Sequence, residues 1–124
     1  VGKTCLLHQY IKNQFTQQYK ATIGADFLTK LIKKDKVIIQ LQLWDTAGAE
    51  RYNSMGQNFY RNSIACVLVF DLTSKESFSH IESWRTEFLN ALNLKNTESY
   101  PFILFGNKSD LSQDIAVTDD IINN

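Results

Sequence analysis

The sequence is poor in several features that mark common classes of protein. It has one proline and two cysteines in 124 residues, and its 13 basic residues balance its 13 acidic ones. Two scattered thiols cannot make the framework of disulfides that stabilises small secreted domains, so we expect a reducing, cytoplasmic environment. A formal net charge of zero gives no sign of a nucleic-acid partner. No run of about 18 apolar residues is present that would span a membrane.

The residues that are present favour a single α/β domain. Hydrophobic residues make up 44% of the chain, which is enough for one core. Apolar residues at helical spacing predict a helix that begins near Lys3. Strand-like stretches at residues 27–32 and 37–44 are joined by a charged turn. Two unbroken apolar stretches, residues 64–70 and 101–106, predict strands that are buried on both faces.

A longer helix is predicted between those two apolar strands. Its apolar residues recur at helical spacing from Phe78 to Leu92, and Thr73 and Ser74 are candidates for its N-cap. Strands that alternate with helices predict a mostly parallel sheet, with the loops that follow the strands along one edge. Three polar residues are predicted to follow strands at that edge: Asp45, Asp71 and Asn107.

Gly2-Lys3-Thr4 has the form that ends the phosphate-binding loop G-x-x-x-x-G-K-[ST]. Backbone N–H groups of a glycine-rich turn and the positive end of the following helix together bind anions. Lys3 would neutralise the β- and γ-phosphates of a nucleotide, the Thr4 hydroxyl would bind Mg²⁺, and the Cys5 N–H would face a phosphate. Taken alone, these residues are equally compatible with an ordinary helix start.

Asp45 and Gly48 have the D-x-x-G spacing of a loop that senses a terminal phosphate. An aspartate that follows a strand can reach Mg²⁺ directly or through water. A glycine lets the backbone approach the γ-phosphate, because it carries no side chain. Taken alone, this pattern also fits an ordinary turn at the end of a strand.

Asn107-Lys108-Ser109-Asp110 follows the second apolar strand and has the N-K-x-D form that recognises guanine. The Asp110 carboxylate can accept hydrogen bonds from the N1–H and N2–H₂ groups of guanine, and the stem of Lys108 can lie along the base. Adenine lacks that pair of donors, so a site of this kind can discriminate by about 10⁴–10⁵. The alternative explanation is a polar turn.

The three motifs occur in the order that a guanine-nucleotide site requires, each at a predicted strand or helix boundary. The phosphate loop alone is also compatible with an ATPase or a kinase, whereas the N-K-S-D motif favours a protein that binds GTP. Two alternatives remain at this point. One is another P-loop ATPase or kinase, and the other is a pseudo-GTPase that binds GTP without hydrolysing it.

With these motifs in place, residues 1–111 resemble the Ras-like small GTPases and, within them, the Rab family. The segments that carry the resemblance are residues 22–27, 41–48, 59–61 and 68–73. Residues 18–30, 83–85 and 87–89 are similar to the late-endosomal and lysosomal branch. The resemblance implies a three-layer P-loop α/β fold with a mostly parallel sheet. It also implies that residues 1–124 form an incomplete GTPase domain, without its first strand and its C-terminal part.

The resemblance assigns roles to residues outside the motifs. Thr22 would bind Mg²⁺ and sense the γ-phosphate, and Phe15 would pack near the guanine. Four residues would bind effectors: Ile23, Phe27, Trp44 and Phe59. Without the resemblance, packing in the core or on the sheet would be the first explanation for these aromatic residues.

Ala49 departs from the family pattern next to Gly48, at the centre expected to catalyse hydrolysis. Related proteins carry a glutamine there, which orients the attacking water. A methyl group can neither donate nor accept a hydrogen bond, so we expect slow intrinsic hydrolysis. Many activating proteins of the Rab family supply both an arginine and a glutamine, so hydrolysis with such a partner can survive.

The resemblance also implies ligands, partners and a location. GTP or GDP would bind with Mg²⁺, and the partners would be exchange factors, GTPase-activating proteins, effectors and a GDP-dissociation inhibitor. Membrane attachment would depend on lipidated C-terminal cysteines, which these 124 residues do not include. The expected place of action is the cytoplasmic face of endosomal, lysosomal or vacuolar membranes, where the protein would regulate vesicle traffic.

Overall fold

The computed structural model describes residues 1–18, 20–48, 59–93 and 97–123. The chain divides into two compact units. The hairpin unit comprises residues 2–59, and the parallel-sheet unit comprises Val1 with residues 60–124. Within the described ranges, no helix is both long enough and apolar enough to cross a membrane.

Both units combine helices with strands, as the sequence predicts. The described helices are α1 (Lys3–Lys12), α2 (Lys75–Ser79), α3 (Ile81–Leu92) and α4 (Asp119–Ile122), and a 3₁₀ turn covers Ser112–Asp114. The described strands are β1 (Ala25–Lys34), β2 (Val37–Thr46), β3 (Cys66–Asp71) and β4 (Phe102–Asn107). Helix α1 and strands β1 and β2 lie in the hairpin unit.

The hairpin unit is built on a continuous antiparallel ladder between β1 and β2. The pairing runs from Ala25 opposite Thr46 to Lys34 opposite Val37. A two-residue turn closes it, and Asp35 in this turn has φ 54°, in the left-handed region that aspartate tolerates. The predicted hairpin is confirmed, and both strands are longer than the sequence pattern indicates.

The two faces of this hairpin differ in exposure, because successive side chains of a strand point to opposite sides. On one face Leu28 and Ile32 are half-buried, and the Lys30 ammonium lies 3.9 Å from the centre of the Tyr10 ring of α1. On the other face every second residue from Phe27 to Lys33 is exposed. Helix α1 therefore covers one side of the hairpin and leaves the other open.

The parallel-sheet unit is built on β3 and β4, which pair from Cys66 opposite Phe102 to Asp71 opposite Asn107. The predicted parallel pairing is confirmed. Asp71 and Asn107 are the last residues of their strands rather than the first residues after them. The two polar residues therefore lie side by side at the carboxyl ends of neighbouring strands.

Aromatic side chains supply much of the packing on this sheet. Phe70 is 1% exposed and packs edge-on against Phe78 of α2, with ring centroids 5.0 Å apart. Phe88 of α3 is 6% exposed. Its ring centroid lies within 5.8 Å of those of three other rings: Tyr60, Tyr100 and Phe102. Burial of such large rings contributes favourably to the stability of this unit.

The prediction of one continuous helix after β3 is wrong. Helix α2 ends at Ser79, α3 begins at Ile81, and His80 caps both. The Ser79 hydroxyl donates a hydrogen bond to the Glu76 carbonyl, and the Ser83 hydroxyl donates one to the His80 carbonyl, both at 2.8 Å. Such local bonds from serine compete with the helical backbone pattern and bend or interrupt a helix.

The predicted N-cap is confirmed at Ser74. Its Oγ accepts a hydrogen bond from the Ser77 N–H at 3.2 Å, which satisfies a donor that the first turn of α2 leaves free. Thr73, the other candidate, instead donates hydrogen bonds from its N–H and its hydroxyl to Asp71. Both residues therefore fix the chain where β3 leads into α2.

The prediction that both apolar stretches are buried on both faces is wrong. Strand β3 begins only at Cys66, and Ile64 is 87% exposed. In β4, three consecutive apolar residues are between 43% and 51% exposed: Ile103, Leu104 and Phe105. The two described strands of this unit form a narrow sheet, and apolar residues of a narrow sheet keep surface that further strands and helices would cover.

Replacing Phe70 by alanine should lower the free energy of unfolding by about 3–5 kcal/mol, because the change leaves a cavity in a well-packed core. Phe105→Ala is the matched control in the neighbouring strand. That ring is 44% exposed, so less apolar surface is lost and the effect should be clearly smaller. Urea unfolding followed by circular dichroism measures both, and equal losses would contradict the burial assigned to the two strands.

Candidate functional site

The first group of predicted site residues lies at the start of α1. Gly2 is the N-cap, with φ 91°, a conformation that favours glycine, and no side chain caps the helix there. Its carbonyl accepts the Leu6 N–H at 3.0 Å. Lys3 and Thr4 are the first two residues of the helix, so free backbone N–H groups and the helix dipole add positive potential beside their side chains.

Three side chains meet through their oxygens beside this helix start. The Thr4 hydroxyl donates a hydrogen bond to Asp45 Oδ2 at 2.6 Å, and Thr4 Oγ1 lies 2.8 Å from Thr22 Oγ1. Asp45 lies inside β2, which ends one residue later, and so the prediction that it follows the strand is wrong by a small margin. We call Thr4, Thr22 and Asp45 the oxygen cluster, and these are the three residues that the sequence and the resemblance assign to Mg²⁺.

Asp45 is almost fully buried in this cluster. The residue is 2% exposed, and its Oδ1 has no hydrogen-bond partner among the residues that the structure describes. A buried carboxylate is stable when its oxygens accept hydrogen bonds or bind a cation. The residue therefore has one oxygen engaged by Thr4 and one suited to a cation.

The donor set fits Mg²⁺. It consists of hydroxyl and carboxylate oxygens, the hard ligands that Mg²⁺ prefers, without the imidazole or thiolate groups that transition metals favour. The described ranges hold no group of three or more His, Cys, Asp or Glu side chains that could bind a metal ion. Mg²⁺ commonly keeps waters and takes phosphate oxygens from a substrate, so a few protein oxygens suffice.

Lys3 lies close to Gly48 in the same unit. A Cβ atom added to Gly48 would lie 2.9 Å from Lys3 Nζ, so the glycine leaves room for the ammonium group beside the backbone. Burial lowers the pKa of Lys3, and the charge of Asp45 opposes that shift in part. A partly desolvated ammonium gains from a nearby anion, which is what a phosphate would supply.

In the parallel-sheet unit, the N-K-S-D residues form the turn at the end of β4. The Asn107 side-chain amide donates a hydrogen bond to the Val1 carbonyl at 2.9 Å. Lys108 has φ 65°, and its carbonyl accepts the Leu111 N–H at 3.1 Å, which closes the turn. Asp110 is exposed on this turn, so its carboxylate is accessible to a ligand.

Asp71 is a residue whose role the sequence analysis missed. It is 7% exposed, and its Oδ2 lies 2.5 Å from Lys108 Nζ. Its Oδ1 accepts the Thr73 N–H at 2.9 Å and the Thr73 hydroxyl at 2.7 Å. Burial by itself would raise the pKa of Asp71, but the hydrogen bonds from Lys108 and Thr73 outweigh burial and hold the pKa below its ordinary value.

This ion pair positions the N-K-S-D turn. The structure holds the Lys108 ammonium against Asp71 at the end of β3, and the predicted contact of the Lys108 stem with a guanine base stays a prediction. The Leu72 N–H also donates to the Asn107 carbonyl at 3.0 Å. A signal was present in the sequence, since Asp71 follows an apolar strand just as Asn107 does. That Asp71 pairs with Lys108 could be found only from the register of β3 and β4.

The aromatic residues assigned to effectors form one cluster on the open face of the hairpin. Phe27 and Trp44 are directly opposite in the ladder, with ring centroids 4.7 Å apart, and the Phe59 ring lies 4.9 Å from that of Trp44. Phe27 and Trp44 remain 43% and 42% exposed. Ile23 is 73% exposed. Such exposure favours a contact surface over a buried core, and the effector role stays a prediction.

The remaining predicted residues have less structural support. Phe15 is 66% exposed in the loop after α1. Cys5 Sγ lies 4.0 Å from the Thr16 carbonyl oxygen. Their predicted contacts with the guanine and with a phosphate stay predictions. Ala49 lies outside the described residues.

Known proteins match this chain along most of its length. A model of the Ras family matches residues 1–122. The Ypt/Rab-type GTPase ypt7 of Schizosaccharomyces pombe is 51% identical over 113 residues, and the Ypt/Rab-type GTPase YPT7 of Saccharomyces cerevisiae is 51% identical over 114. The Ras-related protein Rab7 of Pisum sativum is 50% identical over 111 residues.

These matches confirm the predicted resemblance and fold class. They cover 90–91% of this chain and 54–55% of the relatives, so the chain spans about half the length of the curated relatives it matches. The matched region includes the phosphate-loop residues, the oxygen cluster and the N-K-S-D turn. The chain belongs to the Ras family, and two of these relatives are named Ypt/Rab-type GTPases.

Proposed function

We propose that this chain binds GTP and GDP with Mg²⁺ and acts as a Rab-type switch in endolysosomal membrane traffic. The observation that carries the proposal is the oxygen cluster beside the Lys3 ammonium and the Gly48 backbone. Thr4, Thr22 and Asp45 would hold Mg²⁺, which when bound would neutralise charge on the phosphate oxygens. Lys3 and the N–H groups of α1 would compensate the remaining phosphate charge.

Guanine recognition is assigned to Asp110. Its carboxylate is exposed, and the turn that carries it is anchored at its first two residues, by the Asn107 amide on the Val1 carbonyl and by Lys108 on Asp71. An anchored turn presents its carboxylate in one orientation, which favours selection of a paired donor such as the N1–H and N2–H₂ edge of guanine. None of the three relatives compared above is named as an ATPase or a kinase.

The proposed output is a change in affinity for partner proteins. The γ-phosphate would order the segments that hold Thr22 and Gly48, and hydrolysis would release them. Effectors would contact the aromatic cluster of Phe27, Trp44 and Phe59, which stays open on the hairpin. Exchange factors, activating proteins and a GDP-dissociation inhibitor complete the proposed partners. The place of action is the endosomal or vacuolar membrane, from the resemblance to that branch.

The protein should bind GTP far more tightly than ATP, and Asp110→Asn should remove most of that preference. The substitution replaces a charged acceptor by an amide, so N1–H and N2–H₂ of guanine lose their paired acceptor. We expect the ratio of GTP to ATP affinity to fall at least about 100-fold. Competition with a fluorescent nucleotide measures both affinities.

Asp114→Asn is the matched control for this measurement. Asp114 is also exposed, in the neighbouring 3₁₀ turn, and its substitution should leave the ratio unchanged. Preference for ATP in the unsubstituted protein would overturn the proposed function in favour of an ATPase or a kinase. Equal effects of the two substitutions on the affinity ratio would contradict the assignment of guanine recognition to Asp110.

Removal of Mg²⁺ by a chelator should speed the release of bound nucleotide, and Asp45→Asn should make release largely insensitive to the chelator. Loss of an ion ligand should lower the affinity for Mg²⁺ by at least about tenfold, because loss of a group that only supports a ligand already lowers metal affinity by that factor. Asp26→Asn is the control, because Asp26 lies opposite Asp45 in the ladder but is exposed. A full chelator effect in Asp45→Asn would show that Asp45 does not hold the ion.

Ala49→Gln should raise the intrinsic rate of GTP hydrolysis, by roughly tenfold to 100-fold, because a positioned polar group then orients the attacking water. Single-turnover hydrolysis, with and without an activating protein, measures the effect. Ala49→Leu, which has a similar length but no hydrogen-bonding group, should stay slow. Equal intrinsic rates in the unsubstituted protein and in Ala49→Gln would contradict the prediction.

The same assay separates a slow GTPase from a pseudo-GTPase. The slow enzyme would hydrolyse GTP when an activating protein supplies the missing group. Tight GTP binding with no hydrolysis under any of these conditions would select the pseudo-GTPase, for which the absence of glutamine at Ala49 is the supporting observation.

A further inference from the structure

The closed end of the β1–β2 hairpin carries a basic and apolar surface that the proposed nucleotide site does not use. Its three lysines fall within four consecutive positions, in a chain whose 13 basic residues balance its 13 acidic ones. Its apolar members are between 59% and 69% exposed. We call this surface the hairpin tip, and its residues are Leu31, Lys33, Lys34, Lys36, Val37 and Ile38.

Both faces of the hairpin tip have this mixed character. Lys33 lies opposite Ile38, and Leu31 is the diagonal neighbour of Ile38 on the same face. On the other face Lys34 lies opposite Val37. One acidic residue, Asp35, lies in the turn among the lysines, so the local charge stays clearly positive.

We propose that the hairpin tip inserts into the headgroup layer of an anionic lipid membrane. Negatively charged lipids attract lysines that come within a Debye length of the surface. Exposed Leu, Val and Ile side chains gain free energy when they leave water for the boundary with the acyl chains. Long lysine stems can keep the ammonium groups at the headgroups while apolar neighbours lie deeper.

Both faces of the hairpin tip carry basic and apolar residues, which favours a membrane over a protein partner. A protein surface would contact one face of a hairpin, and the apolar residues of the other face would then stay in water. Lipid headgroups would surround a narrow tip that enters them. The face with Lys33 and Ile38 and the face with Lys34 and Val37 would then both contact lipid. A two-residue turn gives the tip the narrow shape that such insertion requires.

The hairpin tip is separate from the oxygen cluster. Val37 and Asp45 lie toward opposite ends of β2, about 27 Å apart at the usual rise of a strand. Substitutions at the tip should therefore leave nucleotide binding unchanged. The proposal stands on the residues of the tip itself, and its failure can be told apart from failure of the proposed function.

The test uses the protein without lipid modification and vesicles of phosphatidylcholine, with or without phosphatidylserine. Co-sedimentation should show binding to the phosphatidylserine vesicles that weakens as salt rises. Combining Lys33→Gln, Lys34→Gln and Lys36→Gln should lower the partition coefficient by about 100-fold. Leu31→Ser with Ile38→Ser should lower it by at least roughly fivefold without a change in charge.

The matched control removes the same charge from exposed lysines elsewhere, by Lys12→Gln, Lys20→Gln and Lys75→Gln, and should change the partition little. An equal loss in both triple variants would show a general charge effect and overturn the proposal. So would unchanged binding of the tip variants, or no binding of the unsubstituted protein to phosphatidylserine vesicles. GTP affinity, measured for each variant, shows that the fold is intact.

Discussion

The buried carboxylate of Asp45 is the constraint around which the hairpin unit is organised. It links a helix, a loop and a strand, because the Thr4 hydroxyl bonds to the carboxylate and Thr22 in turn contacts the Thr4 hydroxyl. Lys3 lies nearby, and burial lowers its pKa although the charge of Asp45 opposes that shift in part. The Lys3 ammonium and the Asp45 carboxylate are therefore both poorly solvated. A cation would pair with the Asp45 carboxylate, and a phosphate would pair with the Lys3 ammonium. A ligand of this kind stabilises the folded state by mass action, so the arrangement links stability to occupancy.

The two buried aspartates at strand ends show how similar residues serve different purposes. Asp71 is buried much as Asp45 is, but its two oxygens are engaged by Lys108 and Thr73. Its carboxylate is therefore satisfied within the protein and acts as an anchor. Asp45 has one oxygen that no described residue engages. The difference in hydrogen bonding, rather than burial or position, separates an anchoring carboxylate from one that suits an external cation.

The motif residues could be placed from the sequence because their signals are local. The residues of each motif lie within a few positions of one another, so their spacing can be read directly from the sequence, and the role of Thr22 was taken from the family pattern. Features that depend on other parts of the fold could not be placed. The partner of Lys108 depends on strand register, the exposure of Phe105 depends on how many strands flank β4, and the break at His80 depends on serine hydroxyls that bind the backbone. The effect of Ala49 depends on a water and on partners, which no sequence pattern contains.

Trp44 and Asp45 are consecutive residues of β2 whose side chains point to opposite faces of the hairpin. Trp44 packs on Phe27 on the open face, while Asp45 belongs to the oxygen cluster on the covered face. Their Cα atoms are held about 3.8 Å apart by the peptide bond, so neither can be displaced without the other. A slip of one residue would exchange the two faces, and the long ladder to β1 prevents it. A displacement of β2 at Asp45 therefore also displaces the aromatic surface around Trp44 on the opposite face of the hairpin.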